Sequence, residues 1–188
     1  MLASASPRRA ELLRAAGFTF DTVAVDIDEA VRPGEEPATY VRRLAVEKSA
    51  RVLELLDSRT GGESEIVVLG ADTTVAIDGE ILGKPRDVGE AERMLRLLAG
   101  RRHEVLTGVS LRRTGKPVDS VETTAVDFMP VSDDEVAWYV ASGEGRDKAG
   151  AYAIQGLASR FITRIEGSYA NVVGLPVHTV FTLLRFLG

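Results

Sequence analysis

The chain has no cysteine. That removes disulfide staples, thiolate metal ligands and a cysteine nucleophile at once. Only two histidines are present, His103 and His178, too far apart in sequence for a histidine-rich zinc centre. No run of residues is long and apolar enough to span a bilayer, and the first residues lack the charged and apolar regions of a secretory signal. A cytoplasmic protein without a membrane partner is expected. There is no surplus of positive charge either: 23 Lys and Arg against 28 Asp and Glu give a net charge of −5. A polymeric nucleic acid is therefore not an expected partner, and any phosphate site must be built locally. Low-complexity tracts are absent too. With 188 residues, 45% hydrophobic and 27% charged, the chain can bury a substantial core as one domain over residues 1–188.

What the chain does have is concentrated first at its start. Ser4-Ala5-Ser6-Pro7-Arg8-Arg9 places two hydroxyls, a proline and two guanidiniums where an extended segment turns into a helix. Ser6 is the expected N-cap, Pro7 suits the first helical position, and Gly17 ends the helix. Two arginines in a first turn oppose the positive end of the helix dipole. An anion among Ser4, Ser6, Arg8 and Arg9 would relieve that repulsion, as a phosphate held by open amides and a guanidinium fork does. A plain helix cap with two solvated arginines is the alternative. Residues 18–25 are β-branched and aromatic and predict a strand. Asp26-Ile27-Asp28-Glu29 follows, three acids that suit either a turn or a hard divalent cation. A helix is predicted over about 38–57, with an apolar stripe of Val41, Leu44, Ala45, Val52 and Leu55. At a period of about 3.6 residues Lys48 falls in the middle of that stripe. Its ammonium either snorkels to the edge or points into a space the helix lines.

Residues 59–65 read as a polar loop, and Ile66-Val67-Val68-Leu69 as a strand buried on both faces. The strand leads to Gly70-Ala71-Asp72-Thr73-Thr74, which places the Asp72 carboxylate at its C-terminal edge, where α/β sheets bind ligands. Asp78-Gly79 between two apolar runs predicts a two-residue hairpin. Its register pairs Ile77 with Glu80, Val75 with Leu82 and Thr73 with Lys84, bringing Lys84 within reach of Asp72 and Thr73. The glycine and proline flanking Lys84 favour a ligand site there over a surface ion pair. Residues 87–99 form an amphipathic helix capped by Asp87. Two long strands follow at about 102–113 and 117–128, with His103 read as a structural histidine in preference to a catalytic one. A helix from Ser132 to about Ser142 opens with a capping box and carries Trp138 as a packing anchor. The run from Gly143 to Gly156 alternates small residues with Lys148, a further cation, and Gln155, whose amide can both donate to and accept from a base edge. A strand at 161–165, a short turn capped by Ser168 and a final helix at 176–187 complete the chain.

Six segments in this order resemble the Maf family of nucleoside triphosphate pyrophosphatases. They are Leu2 to Arg9 (LASASPRR), Gly70 to Val75 (GADTTV), Gly83-Lys84-Pro85, His103 to Val109 (HEVLTGV), Asp147 to Gly156 (DKAGAYAIQG) and Gly167 to Pro176 (GSYANVVGLP). The resemblance covers nearly the whole chain as a single Maf-like domain. It implies an α/β fold with an elongated mixed β-sheet flanked by helices, two lobes with a central cleft, similar to inosine triphosphate pyrophosphatase, and a homodimer. It implies hydrolysis of a nucleoside triphosphate to the monophosphate and pyrophosphate with a divalent cation, Mg²⁺ or Mn²⁺.

Residue by residue, the resemblance makes Asp72 the catalytic carboxylate, with Lys48 and Lys84 beside it, and Asp72 and Glu29 the acids at the metal. Ser4, Arg8, Arg9, Thr73, Lys148 and Gln155 would bind the substrate. Gly-Ala-Asp-Thr together with Ile-Gln-Gly resembles the branch acting on dTTP and UTP, where Arg8, Thr73 and Gln155 bear on base choice. The branch acting on 7-methyl-GTP differs after the aspartate. Three departures stand out: a short start before Leu2, Ser49 where alanine is usual, and Gly145 where proline is common. The alternative from another class is a nucleotide-binding regulator of cell division and septum formation without significant turnover.

Overall fold

The computed structural model describes residues 1–60, 66–113 and 116–187. Most of the polar loop predicted at 59–65, and the Thr114-Gly115 link, lie outside the described residues. The elements in chain order are β1 (Leu2–Ala3), α1 (Pro7–Ala15), α2 (Pro37–Thr60), β2 (Val68–Ile77), β3 (Glu80–Leu82), α3 (Val88–Leu98), β4 (Arg102–Arg113), β5 (Lys116–Phe128), α4 (Asp133–Ala141), β6 (Ile162–Glu166), α5 (Tyr169–Val173) and α6 (Val177–Leu187). The sheet order is β1-β2-β4-β5-β6, with β3 paired to β2. It is a mixed sheet, because β1 runs parallel to β2 while β3 and β6 are antiparallel to their partners. This is the α/β architecture expected from the sequence. Among the described residues no helix is long and apolar enough to cross a membrane.

The chain divides into two compact units, one of residues 1–72, 107–122 and 174–188 and another of 73–106 and 123–173. Each has its own apolar core. In the first, Leu2, Leu13, Leu69, Val109, Leu111, Leu175 and Val180 pack together. In the second, Leu82, Leu95, Leu98, Val126, Phe128, Tyr139 and Tyr152 do so.

Local sequence explains most elements. Asp78 and Gly79 both take positive φ, 51° and 80°, so the hairpin turns as the Asp-Gly pair dictates. Its ladder has the expected Val75↔Leu82 and Ile77↔Glu80 pairs. β3 ends at Leu82, however, so the predicted Thr73–Lys84 pair is not part of it and Lys84 follows as an exposed residue. Asp87 caps α3 through the Glu90 amide at 2.8 Å, and Ser132 and Glu135 form the predicted capping box on α4.

Four further expectations are corrected. Residues 18–25 alternate in burial but make only a single bridge, Leu2↔Thr22, flanked by two hydrogen bonds to Leu2. A short β1 offers too little edge for a longer ladder. β2 starts at Val68 rather than Ile66 and runs unbroken to Ile77, which puts Asp72 in mid-strand and not at a strand end. The two threonines after Asp72 are good strand formers and carry the ladder onward. Leu55 is 36% exposed despite its place on the α2 stripe, since it lies in the helix's last turns. Trp138 is also exposed, its ring covered on one side by the Arg160 guanidinium at 4.3 Å. It is a cation–π platform and not a packing anchor.

Candidate active site

The site is built by α2 lying directly on strand backbone. A Cβ on Gly70 would stand 2.2 Å from the Ala45 carbonyl oxygen and 2.7 Å from the Ser49 amide. One on Gly108 would stand 2.2 Å from the Val41 carbonyl oxygen. Only glycine at these two strand positions lets the helix come so close. The same face buries Val41, Leu44, Ala45, Ser49 and Val52, and Lys48 in their midst is 7% exposed. The ammonium therefore does not snorkel to water. It lies 2.6 Å from Asp72 Oδ1 and 2.6 Å from Glu29 Oε1. Asp72 is buried as well, while the Glu29 side chain is 46% exposed. One cation thus draws two carboxylates from different parts of the chain to a single point.

Glu29 is held there through its backbone. The Tyr40 hydroxyl donates to the Glu29 carbonyl at 3.0 Å, and Arg43 donates to the carbonyls of Asp28 and Ala30 at 3.4 and 3.0 Å. Arg43 also grips Glu35 with two bonds of 2.6 and 2.8 Å, in a pair whose side chains are 10% and 5% exposed. That fork drives the Glu35 carboxyl down to about 2. Burial first, then the charges of Asp72 and Glu29, push the Tyr40 hydroxyl up to about 12. Three consecutive carbonyls of the acidic segment are therefore fixed by the helix that carries Lys48. Sequence reasoning missed Tyr40, Arg43 and Glu35. Nothing in the spacing separates Arg43 from Arg42 beside it, because its role depends on where the 28–35 segment returns.

The opening segment completes this unit. β1 pairs Ala3 with Gly70, so the chain leaves the sheet two residues short of Asp72 and enters α1 at Pro7. Ser6 occupies the N-cap position but its hydroxyl makes no cap bond. Ser4 does the local work instead: its Oγ accepts from the Ser6 amide at 3.1 Å and from Arg9 Nη1 at 3.2 Å. Arg9 Nε donates to the Gly174 carbonyl at 2.9 Å, tying α1 to the segment before α6. Burial pushes the Arg9 guanidinium below its ordinary value, against the attraction of Asp72 and, more weakly, Glu29, while Arg8 adds to the depression. Ser4, Arg8, Arg9, Glu29, Lys48 and Asp72 all belong to the first unit. Ser49, one of the departures, is fully buried and shares its hydroxyl with Ser110 at 2.9 Å and the Val46 carbonyl at 2.9 Å.

The other predicted residues belong to the second unit. Thr73 is half-buried and Gln155 exposed. Lys148 is half-buried, its ammonium 2.7 Å from the Glu144 carbonyl and 2.6 Å from Asp147 Oδ1. Gly145 stands where a Cβ would meet the Ala151 carbonyl oxygen at 2.0 Å, so this backbone needs the glycine. His103 is structural, as expected: buried, 2.9 Å from the Tyr152 hydroxyl, and pushed down to about 4 by that burial.

Among the described residues no three His, Asp or Glu side chains converge as a metal cage. A hard cation such as Mg²⁺ is commonly held by one or two carboxylates, with substrate phosphates and water supplying the other oxygens. Asp72 and Glu29, already converging on one positive charge, fit that donor set.

Relatives of known description share this sequence over its full length. A dTTP/UTP pyrophosphatase of Anaeromyxobacter dehalogenans is 50% identical, covering 100% of this chain and 93% of its own. A dTTP/UTP pyrophosphatase of Chromobacterium violaceum is 49% identical with the same coverage. In fold the chain is similar to the Staphylococcus aureus Ham1 protein, with a TM-score of 0.55 at 12% identity over 100% of this chain and 98% of that one. The model of the Maf-like protein family matches residues 1–187. With that match running through every segment that builds the Lys48 centre, the chain belongs to the Maf family.

Proposed function

We propose that this protein is a nucleoside triphosphate pyrophosphatase that hydrolyses dTTP and UTP to the monophosphate and pyrophosphate. The observation that carries the reading is the buried Lys48 ammonium between Asp72 and Glu29 at 2.6 Å each. Buried charge held so close, in a chain half identical to pyrophosphatases of these nucleotides, is better explained by chemistry than by stability.

Asp72 is the general base. Lys48 engages its Oδ1 and orients the carboxylate, which receives the proton of an attacking water. A new P–O bond forms from that water, the bridging P–O bond breaks, and pyrophosphate leaves with the bridging electrons. A divalent cation, Mg²⁺ or Mn²⁺, held by Asp72 and Glu29 supplies neutralisation of phosphate charge. Arg8 and Arg9, with Lys84 and Lys148, carry positive charge for the triphosphate, and Ser4 fixes the Arg9 fork through Oγ. Thr73 and Gln155 meet the base. A homodimeric state belongs to the same reading and rests on the family resemblance.

The test is pyrophosphate release from a panel of nucleoside triphosphates with Mn²⁺ or Mg²⁺. The expected result is turnover greatest on dTTP and UTP. Asp72→Asn should lower it by at least about 10²-fold while nucleotide binding survives. Full activity of Asp72→Asn overturns the assignment. Tight binding by the unaltered protein without turnover on any nucleotide would make it a nucleotide sensor instead.

A further inference from the structure

Gln155 is exposed, yet the backbone on both sides of it is tied down by two side chains that the catalytic reading leaves unused. Tyr139, on α4, is fully buried. Its hydroxyl accepts from the Ala153 amide at 3.1 Å and donates to Glu144 Oε2 at 2.8 Å. The Glu144 carboxylate in turn accepts from the Leu157 amide at 2.9 Å and from the Ala158 amide at 3.4 Å. Amides two residues before Gln155, and two and three after it, therefore hang on one connected pair of side chains.

Gly156 shows how tightly this is built. A Cβ there would lie 1.8 Å from Glu144 Oε1, so residue 156 must be glycine for the carboxylate to reach the amides beyond it. Bonds from amides to an ionised carboxylate are about twice as strong as neutral ones, and a buried phenol leaves its ring no room to turn away. The segment from Ala153 to Ala158 can shift only by breaking several of these bonds together. The peptide that presents Gln155 is thus held while its side chain stays open to a ligand.

We propose that Tyr139 and Glu144 are positioning residues for nucleotide selectivity: they fix the backbone that aims the Gln155 amide at the pyrimidine base. This rests on the reading that Gln155 meets the base. A glutamine amide discriminates only when its donor and acceptor ends are held in register with the base edge, since a loose one can satisfy any edge. The clamp supplies that register without touching the substrate.

The chemistry of the clamp defines the variants. In Glu144→Gln one carboxylate oxygen becomes an NH₂ donor, so at least one of the three groups now donating to Glu144 loses an acceptor. Tyr139→Phe keeps the ring in the core and removes only the hydroxyl that serves Ala153. Both variants, Gln155→Ala and the double variant Glu144→Gln/Gln155→Ala are made in the full chain and checked for unaltered circular dichroism. Steady-state kcat and KM are then measured on dTTP, UTP, dCTP and dATP.

The expected result is a fall of about tenfold in kcat/KM on dTTP and UTP for Glu144→Gln, smaller for Tyr139→Phe, with little change on dCTP and dATP. The loss should fall mainly in KM. The double variant should be no less selective than Gln155→Ala alone, because the clamp acts through Gln155. If Gln155→Ala shifts the substrate profile while Glu144→Gln and Tyr139→Phe lower all four nucleotides equally, the clamp is only structural and the proposal is overturned. If Gln155→Ala itself leaves the profile unchanged, the base-reading assignment fails and the clamp's role in selectivity goes with it. Should Glu144→Gln not fold, Tyr139→Phe with wild-type selectivity is enough to overturn the proposal.

Discussion

At Lys48 one buried ammonium stands between two carboxylates, of which Asp72 is buried and Glu29 half-exposed. Desolvating a lysine and an aspartate costs several kcal/mol each, and their mutual attraction recovers that only while both partners remain. Lys48→Met should therefore lower stability by about 3–5 kcal/mol, because the Asp72 carboxylate stays buried without its counter-charge. Adding Asp72→Asn should restore a large part of the loss. Urea unfolding of the two single variants and the double variant measures this directly; losses that merely add would show the two groups to be uncoupled. The residue scale is also where the sequence was most legible. Lys48 on an apolar stripe, Asp72 after a buried run and Glu29 in an acidic cluster were all visible as anomalies of pattern. What could not be read was which partner each anomaly had, since the pairs lie 19 and 24 residues apart along the chain.

At the scale of elements, the approach of α2 to the sheet decides the geometry. The Ala45 carbonyl oxygen and the Ser49 amide stand where a side chain on Gly70 would be, and the Val41 carbonyl oxygen where one on Gly108 would be. Gly70→Ala should push the helix away, costing about 1–3 kcal/mol in overpacking strain. It should also reduce turnover more than it reduces nucleotide affinity, by moving Lys48 relative to Asp72. Thermal unfolding combined with kcat and binding measurements separates the two effects, and wild-type stability in the variant would contradict the close contact. Helix starts, caps and the Asp-Gly hairpin were readable because each depends on neighbours within about four residues. The strand predicted at 18–25 failed for the opposite reason. A strand needs an edge to pair with, and β1 is only two residues long. Tyr40 and Arg43 were unreadable for the same cause, because they act on a segment that returns from elsewhere.

Over the whole molecule, the two units carry separate cores and separate acid-sensitive groups. In the second unit His103 is held down to about 4 from an ordinary 6.5, so it stays neutral in the fold while the unfolded chain takes up a proton. Its contribution to stability is lost as pH falls from 6.5 toward 4. In the first unit Glu35 is held down to about 2 from 4.5 by Arg43, so its contribution persists to lower pH and is lost only between 4.5 and 2. Hydrogen exchange, corrected for intrinsic rates, should therefore show β5 residues 123–128 and the segment around Tyr152 losing protection between pH 6.5 and 5, before α2 does. Equal loss in both units over that range would contradict the assignment.

By itself the sequence determined the chemical inventory: the family, the order of elements, and the charged groups that sit where apolar ones belong. These follow from local rules, in which a cap, a turn or a stripe is complete within one or two turns of chain. Only the tertiary structure decided that one lysine serves two acids, that Arg9 ties down the opening segment as well as lending it charge, and that Glu144 and Tyr139 hold the peptide bearing Gln155. Hydrogen bonds and ion pairs have a reach of only about 3 to 4 Å. Which groups come within that reach is settled by the close packing of α2 on β2 and β4, and by the turns that bring distant segments back beside it.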